Sequence, residues 1–139
     1  MSGLLLIAAS CVAPPAPVVV PPIPPGQARV WFYRPYEPSE TFNLARIEMN
    51  GGYVGAVENG AAFYRDVLPR HYHIAPESFC RDVNVDLARI EQIYVKIVSL
   101  DSWGMSVSGC KNCARDAFYA WLIPPEIAQR EIARDRSGI

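Results

Sequence analysis

No apolar run in this chain reaches the roughly 20 residues that a membrane-spanning helix requires, and charged residues interrupt every later hydrophobic stretch. Neither sign of charge is in excess, since 13 Lys and Arg stand against 14 Asp and Glu for a formal net charge of −1. A nucleic-acid-binding face needs surplus cations to displace the counterions of phosphate, so the composition argues against that partner. No block of like charge offers a polybasic membrane patch. Histidine is scarce: His71 and His73 stand close together, with no nucleophile at a telling spacing. There is no Gly-x-Ser-x-Gly elbow, and Glu77 and Asp101 have nothing in the sequence to pair them. With no catalytic constellation in view, the chain reads as a binding or scaffolding module and not as an enzyme.

What is present begins at Cys11. Leu4 to Ser10 is an apolar run that closes in small residues, and seven prolines fall between Pro14 and Pro25. A short greasy segment, a small-residue cleavage site and a stiff linker are the parts of an export signal. With the cysteine at their junction, Leu4-Leu5-Leu6-Ile7-Ala8-Ala9-Ser10-Cys11 resembles the lipobox of bacterial lipoproteins. The resemblance implies that residues 1–11 are a signal peptide ending at the lipobox cysteine. Cys11 would be acylated, would become the first residue of the mature protein and would fasten it to the lipid bilayer. Val12 in place of Asp after that cysteine implies an outer-membrane lipoprotein facing the periplasm. Residues 12–26 follow as a Pro-rich linker. The pyrrolidine ring fixes φ near −65° and removes a donor, so the tract favours polyproline II. At about 3.1 Å per residue it makes a spacer on the order of 45 Å long.

From Gln27 the pattern changes to period two, the mark of strands. Val30 and Phe32 alternate with Trp31 and Tyr33, so the first strand is apolar on both faces. Ala45, Ile47 and Met49 alternate with Arg46 and Glu48, and Asn50-Gly51-Gly52 supplies the chemistry of a tight hairpin. Further strands run from Tyr53 to Val57 and from Phe63 to Leu68. Tyr72 and Ile74 face away from His71 and His73; Val83 and Val85 face away from Asp82, Asn84 and Asp86. Ile93, Val95 and Ile97 alternate with Gln92, Tyr94 and Lys96 before an aromatic strand from Phe118 to Ile123. Pro124-Pro125 stops that strand, and Pro at a helix start predicts a terminal helix over Pro125 to Asp135. Residues 27–139 therefore read as one mainly β domain, a small antiparallel β-sandwich with a short C-terminal helix.

Ala28-Arg29-Val30-Trp31-Phe32-Tyr33-Arg34, followed by Ile47-Glu48-Met49-Asn50-Gly51-Gly52-Tyr53-Val54-Gly55 and Val57-Glu58-Asn59-Gly60, resembles an uncharacterised family of bacterial lipoproteins. Its members carry a domain of unknown function similar to PEGA-type surface domains. The resemblance covers about residues 28–98. It implies an envelope-tethered β-sandwich with no established activity and no cofactor.

Three cysteines remain once Cys11 is set aside. Cys80 paired with Cys110 or Cys113 would close a loop of about thirty residues in an oxidising compartment and contribute roughly 2–4 kcal/mol. The alternative is a periplasmic thiol-redox or metal-binding protein using Cys110-Lys111-Asn112-Cys113. That pair follows Ser108-Gly109 and precedes a strand, so it lacks the helix amino terminus that lowers a thiol pKa. His71 and His73 with these thiols would make an irregular zinc set. Asp82-Val83-Asn84-Val85-Asp86 begins like a calcium loop but meets Leu87 and Ile93 where Gly and an acid are required. Gly51, Gly52, Gly55 and Gly60 are followed by strand, not by the helix on which a phosphate loop depends. No metal site is expected from these residues. Trp31, Tyr33, Tyr36, Tyr119 and Trp121 offer the one binding hint: gathered on one face they would suit an envelope protein or a glycan. The competing expectation is a two-sided strand covered by the terminal helix.

Overall fold

The computed structural model describes residues 19–77, 79–99 and 117–136. In chain order these form β1 (Ala28–Tyr33), β2 (Ala45–Met49), β3 (Gly52–Val57), β4 (Ala62–Val67) and β5 (His71–Pro76). There follow β6 (Phe79–Arg81), β7 (Val83–Asp86), β8 (Gln92–Ser99), β9 (Phe118–Ile123) and α1 (Pro125–Arg136). The strands make two sheets, of order β4-β1-β8-β9-β6 and β3-β2-β5-β7. The protein is thus mainly β, a small sandwich closed by one short helix. Most pairings are antiparallel, but β1 runs parallel to β8 and β6 parallel to β9. Strands so far apart in sequence are not joined by hairpins, which leaves parallel pairing open to them.

The core follows from the alternation. Val30 and Phe32 of β1 and Val95 and Ile97 of β8 meet Ile47 of β2 and Ile74 of β5, all fully buried. The other face of β1 and β8 carries aromatic rings, and α1 covers them: Trp31, Tyr33 and Tyr94 pack with Ala128 and Ile132. The four-stranded sheet has no such cover among the described residues, so its outward positions are polar.

The β2–β3 hairpin turns on Asn50 (φ 49°) and Gly51 (φ 80°), two successive left-handed residues of the kind that match strand twist. Asn50 also reaches β5, where its Oδ1 accepts the His73 N–H at 2.8 Å and its Nδ2 donates to the His71 carbonyl at 3.2 Å. A register shift follows between Ile47 and Glu48. It brings Gly55 (φ 155°) against the neighbouring sheet, where a Cβ would stand 2.7 Å from the Phe63 ring. Glycine lets β3 pass that close to β4.

Two buried arginines bracket β1. Arg29 forms a two-pronged pair with Asp66 of β4, at 2.7 and 3.0 Å. Its remaining donors hold the carbonyls of Pro21, at 2.6 Å, and Pro22, at 3.4 Å. Val20, Ile23 and Pro24 are half-buried, and Val20 packs against the Trp31 cluster. The last eight residues of the Pro-rich stretch, Val19 to Gly26, are therefore a strap bound along the domain and not free spacer. Arg29→Ala removes the grip and leaves Asp66 without its partner. It is expected to cost about 2 kcal/mol and to speed proteolysis and amide exchange within residues 19–26.

Arg34 has no exposed surface. It donates to the carbonyls of Thr41 (2.7 Å), Asn43 (2.8 Å) and Val57 (3.3 Å), and its guanidinium lies 5.1 Å from the Phe118 ring centroid. It thereby fixes the connection between β1 and β2. Glu40 is 3.9 Å away and is itself held by the N–H and hydroxyl of Ser99. The two arginines respond differently to burial. Asp66, through its hydrogen bonds, holds Arg29 above the ordinary range. Burial pushes Arg34 below it, with Glu40 opposing only in part.

Candidate functional site

The described residues carry two surfaces rich in polar and aromatic chemistry, one on each sheet. On the five-stranded sheet Trp31 stacks on Tyr94, with centroids 6.1 Å apart and planes 7° apart, and meets Tyr64 obliquely at 4.9 Å. The alternation of β1 and its pairing to β4 and β8 set these rings side by side: Trp31 stands opposite both Tyr64 and Tyr94. Trp31 Nε1 donates to Gln92 Oε1 at 3.1 Å, and Gln92 Nε2 donates to the Tyr94 hydroxyl at 2.9 Å. Gln129 of α1 donates to the same hydroxyl at 3.1 Å. An open groove of about 220 Å³ remains between strap and helix, over Trp31 and Tyr94.

Beside it, the Tyr33 hydroxyl donates to Glu131 Oε2 at 3.1 Å, and Lys96 Nζ lies 3.0 Å from that oxygen. Burial, and then the adjacent Glu131 charge, push the Tyr33 phenol above its ordinary value of 10.0. The folded state therefore holds this proton more tightly than the unfolded chain does. Its contribution to stability is complete below about pH 10 and is lost as pH rises beyond that, towards the raised folded value. Alkaline unfolding should steepen above pH 10, and Tyr33→Phe should flatten that limb in a stability-against-pH series.

These contacts decide the fate of the aromatic hint. Trp31, Tyr33 and Tyr119 are buried, and α1 covers the first two. Trp121 is exposed in β9 with the Arg81 guanidinium 3.8 Å from its ring centroid. Tyr36 is exposed on the segment after β1, its N–H donating to Asp135 at 3.2 Å. The five rings do not form one open face, because the helix needs the β1 aromatics for its own docking.

The second surface is the outer face of the four-stranded sheet. His71 Nδ1 lies 2.8 Å from Asp86 Oδ1, and His73 Nε2 lies 2.6 Å from Asp82 Oδ2. Arg46 pairs with Glu77 at 3.1 Å and lies over the Tyr53 ring at 4.4 Å. The alternation of β5 puts both imidazoles outward; antiparallel pairing with β7 sets Asp86 opposite His71, and Asp82, just before β7, meets His73 diagonally. Each imidazole is engaged by a different carboxylate. Among the described residues no three His, Cys, Asp or Glu side chains converge as a metal site. The arrangement is that of a solvated sheet face with short cross-strand polar pairs.

Cys11, Cys110 and Cys113 lie outside the described residues. Cys80 is the middle residue of β6, the edge strand beside β9. Phe79 is registered opposite Phe118, five residues beyond Cys113 in the chain. Trp103, Met105 and the rest of the β8–β9 connection likewise fall outside the description.

No protein-family model, no curated protein and no solved structure matches this chain.

Arg29 and Arg34 are the residues that sequence reasoning passed over. One signal was available: β1 is otherwise apolar on both faces, so a cation at position 29 had to be buried with a partner. Arg34, one residue beyond the strand, carried no comparable mark.

Proposed function

We propose that the protein is an envelope lipoprotein in which acylated Cys11 holds a small β-sandwich at a bacterial membrane, the sandwich serving as a binding or structural module. The observation that carries this reading is the Cys11 junction together with the strap. An apolar segment closing on Cys11 precedes proline-rich chain, and from Val20 that chain is packed on the domain, with Arg29 holding the Pro21 and Pro22 carbonyls. The polypeptide between anchor and domain thus reduces to a few residues, as a tether requires. An outer-membrane position facing the periplasm and an envelope protein or glycan partner belong to the same proposal.

The disulfide belongs to it too. The register of β6 with β9 supports Cys80 pairing with Cys110 or Cys113, since the backbone at Cys80 lies beside the strand that those cysteines shortly precede. Thiol titration of protein from the periplasmic space, with and without denaturant, checks this. Fewer than two free thiols among the three supports the bridge, and three free thiols removes it.

Fractionation of the producing cells tests the anchor. The full chain should sediment with membranes and require detergent for release, while a chain lacking residues 1–11 should appear in the soluble fraction. A wild-type chain that is soluble without detergent would contradict the reading.

A further inference from the structure

We propose that one end of the sandwich, the end at which the strap turns into β1, rests in the headgroup layer of the bilayer to which Cys11 is fastened. This rests on the lipoprotein reading above.

Strand pairing defines that end. β1 and β8 begin there, β4 and β9 finish there, and α1 starts there. Four large aliphatic side chains are exposed on the segments concerned. Leu68, after β4, is 57 % exposed, and Ile90, before β8, is 69 % exposed. Leu122, near the end of β9, and Ile127, in the first turn of α1, are also exposed. Leu122 lines an open mouth of about 350 Å³ together with Ile93, Pro124 and Pro125.

Ile90 is the informative member. Its φ is +65°, a conformation that a β-branched residue adopts at a cost. The cost is sustained by hydrogen bonds around it: Ile90 N–H donates to the Gln27 carbonyl at 2.7 Å, and the Ala88 N–H donates to Glu91 at 2.8 Å. A strained turn that presents an apolar tip to water gains nothing for the isolated domain.

The short chain between Cys11 and the strap points to the bilayer as the occupant. Seven residues lie between Cys11 and Val19, and eight steps of fully extended chain at no more than about 3.6 Å each span about 29 Å. A domain tied that closely to a bilayer meets it repeatedly, and the aliphatic end is the surface suited to remain there. Nearby exposed charges, Arg70 and Arg89 with Asp86, Glu91 and Glu126, leave no cationic surplus for anionic lipid, so the contact is apolar and not electrostatic.

The test uses the chain from position 11 onward carrying Cys11→Ser, which lacks both the acyl group and the apolar segment Leu4–Ala9, and sedimentation with neutral phosphatidylcholine vesicles. Measurable partition is expected, with a similar coefficient on vesicles containing anionic phosphatidylglycerol. Leu68→Asp with Ile90→Asp should lower it about tenfold or more, while Phe42→Asp, an exposed position on the β1–β2 connection, should leave it unchanged. Thermal melts of each variant confirm folding. No partition of the parent chain, partition that depends on anionic lipid, or loss on Phe42→Asp and not on the Leu68 and Ile90 pair would each overturn the proposal. The mass of native Cys11 separates the two ideas. An unmodified cysteine with vesicle binding retained sinks the lipoprotein reading, whereas an acylated cysteine without partition sinks this one.

Discussion

Arg34→Ala is expected to lower stability by about 3 kcal/mol, read as the shift of a urea midpoint at unchanged slope. Arg34 donates to three carbonyls, those of Thr41 and Asn43 in the β1–β2 connection and of Val57 at the end of β3. Truncation leaves three acceptors without donors and a cavity the size of a guanidinium stem. Each unsatisfied buried acceptor costs about 1–3 kcal/mol in isolation. Some of that is recovered, because the β1–β2 connection lies at the surface and admits water. In a domain of this size 3 kcal/mol corresponds to a fall in Tm of about 15 °C. Lysine should not rescue: it carries a point charge and cannot fork toward carbonyls on opposite sides. A melt within a few degrees of wild type for Arg34→Lys would show that charge alone, and not the fork, holds the connection.

Trp31→Ala should cost about 3–5 kcal/mol, the range for deleting a large buried aromatic. Its effects should also be localised in an informative way. Trp31 touches three separate parts of the molecule. It stacks on Tyr94, leans on Tyr64, and forms the floor on which Val20 and Ile132 rest. Hydrogen exchange should therefore rise in residues 19–26 and 125–136 before it rises in β2 and β5, whose core lies on the other side of the sheet. Trp31→Phe keeps most of the packing and loses the bond to Gln92, for a cost nearer 1–1.5 kcal/mol. If exchange rose uniformly in the alanine variant, the helix and strap would be integral to the sandwich and not a layer docked on it.

Much of this architecture is written in the alternation of the chain. His71 and His73 fall outward and Tyr72 and Ile74 inward, as period two requires. The two-faced character of β1 left cover by the terminal helix as one of two expectations, and α1 supplies that cover from Pro125. Asn50-Gly51 marks its own hairpin, because few residue pairs tolerate two positive φ values in succession. Other features depend on partners remote in sequence and leave no local trace. The parallel pairing of β1 with β8 is one, since period two is the same for either direction. The three-residue β6 is too short to show any period. The strap is another: proline composition announces extended chain, but only the carbonyl-binding fork of Arg29, itself held by Asp66 37 residues away, says that the chain is bound. The histidine face was legible as a wet strand face; register sets Asp86 opposite His71, whereas Asp82 reaches His73 diagonally from the residue before β7.

The anchoring, the periplasmic address and the membrane-facing end all depend on what Cys11 becomes, and the intact mass of the native protein reads that directly. Extracted from membranes of the cells that make it, the chain should begin at Cys11 and carry fatty acyl mass on that residue. A chain that still contains residues 1–10 and has an unmodified Cys11 would contradict the anchoring, the periplasmic address and the membrane-facing end together.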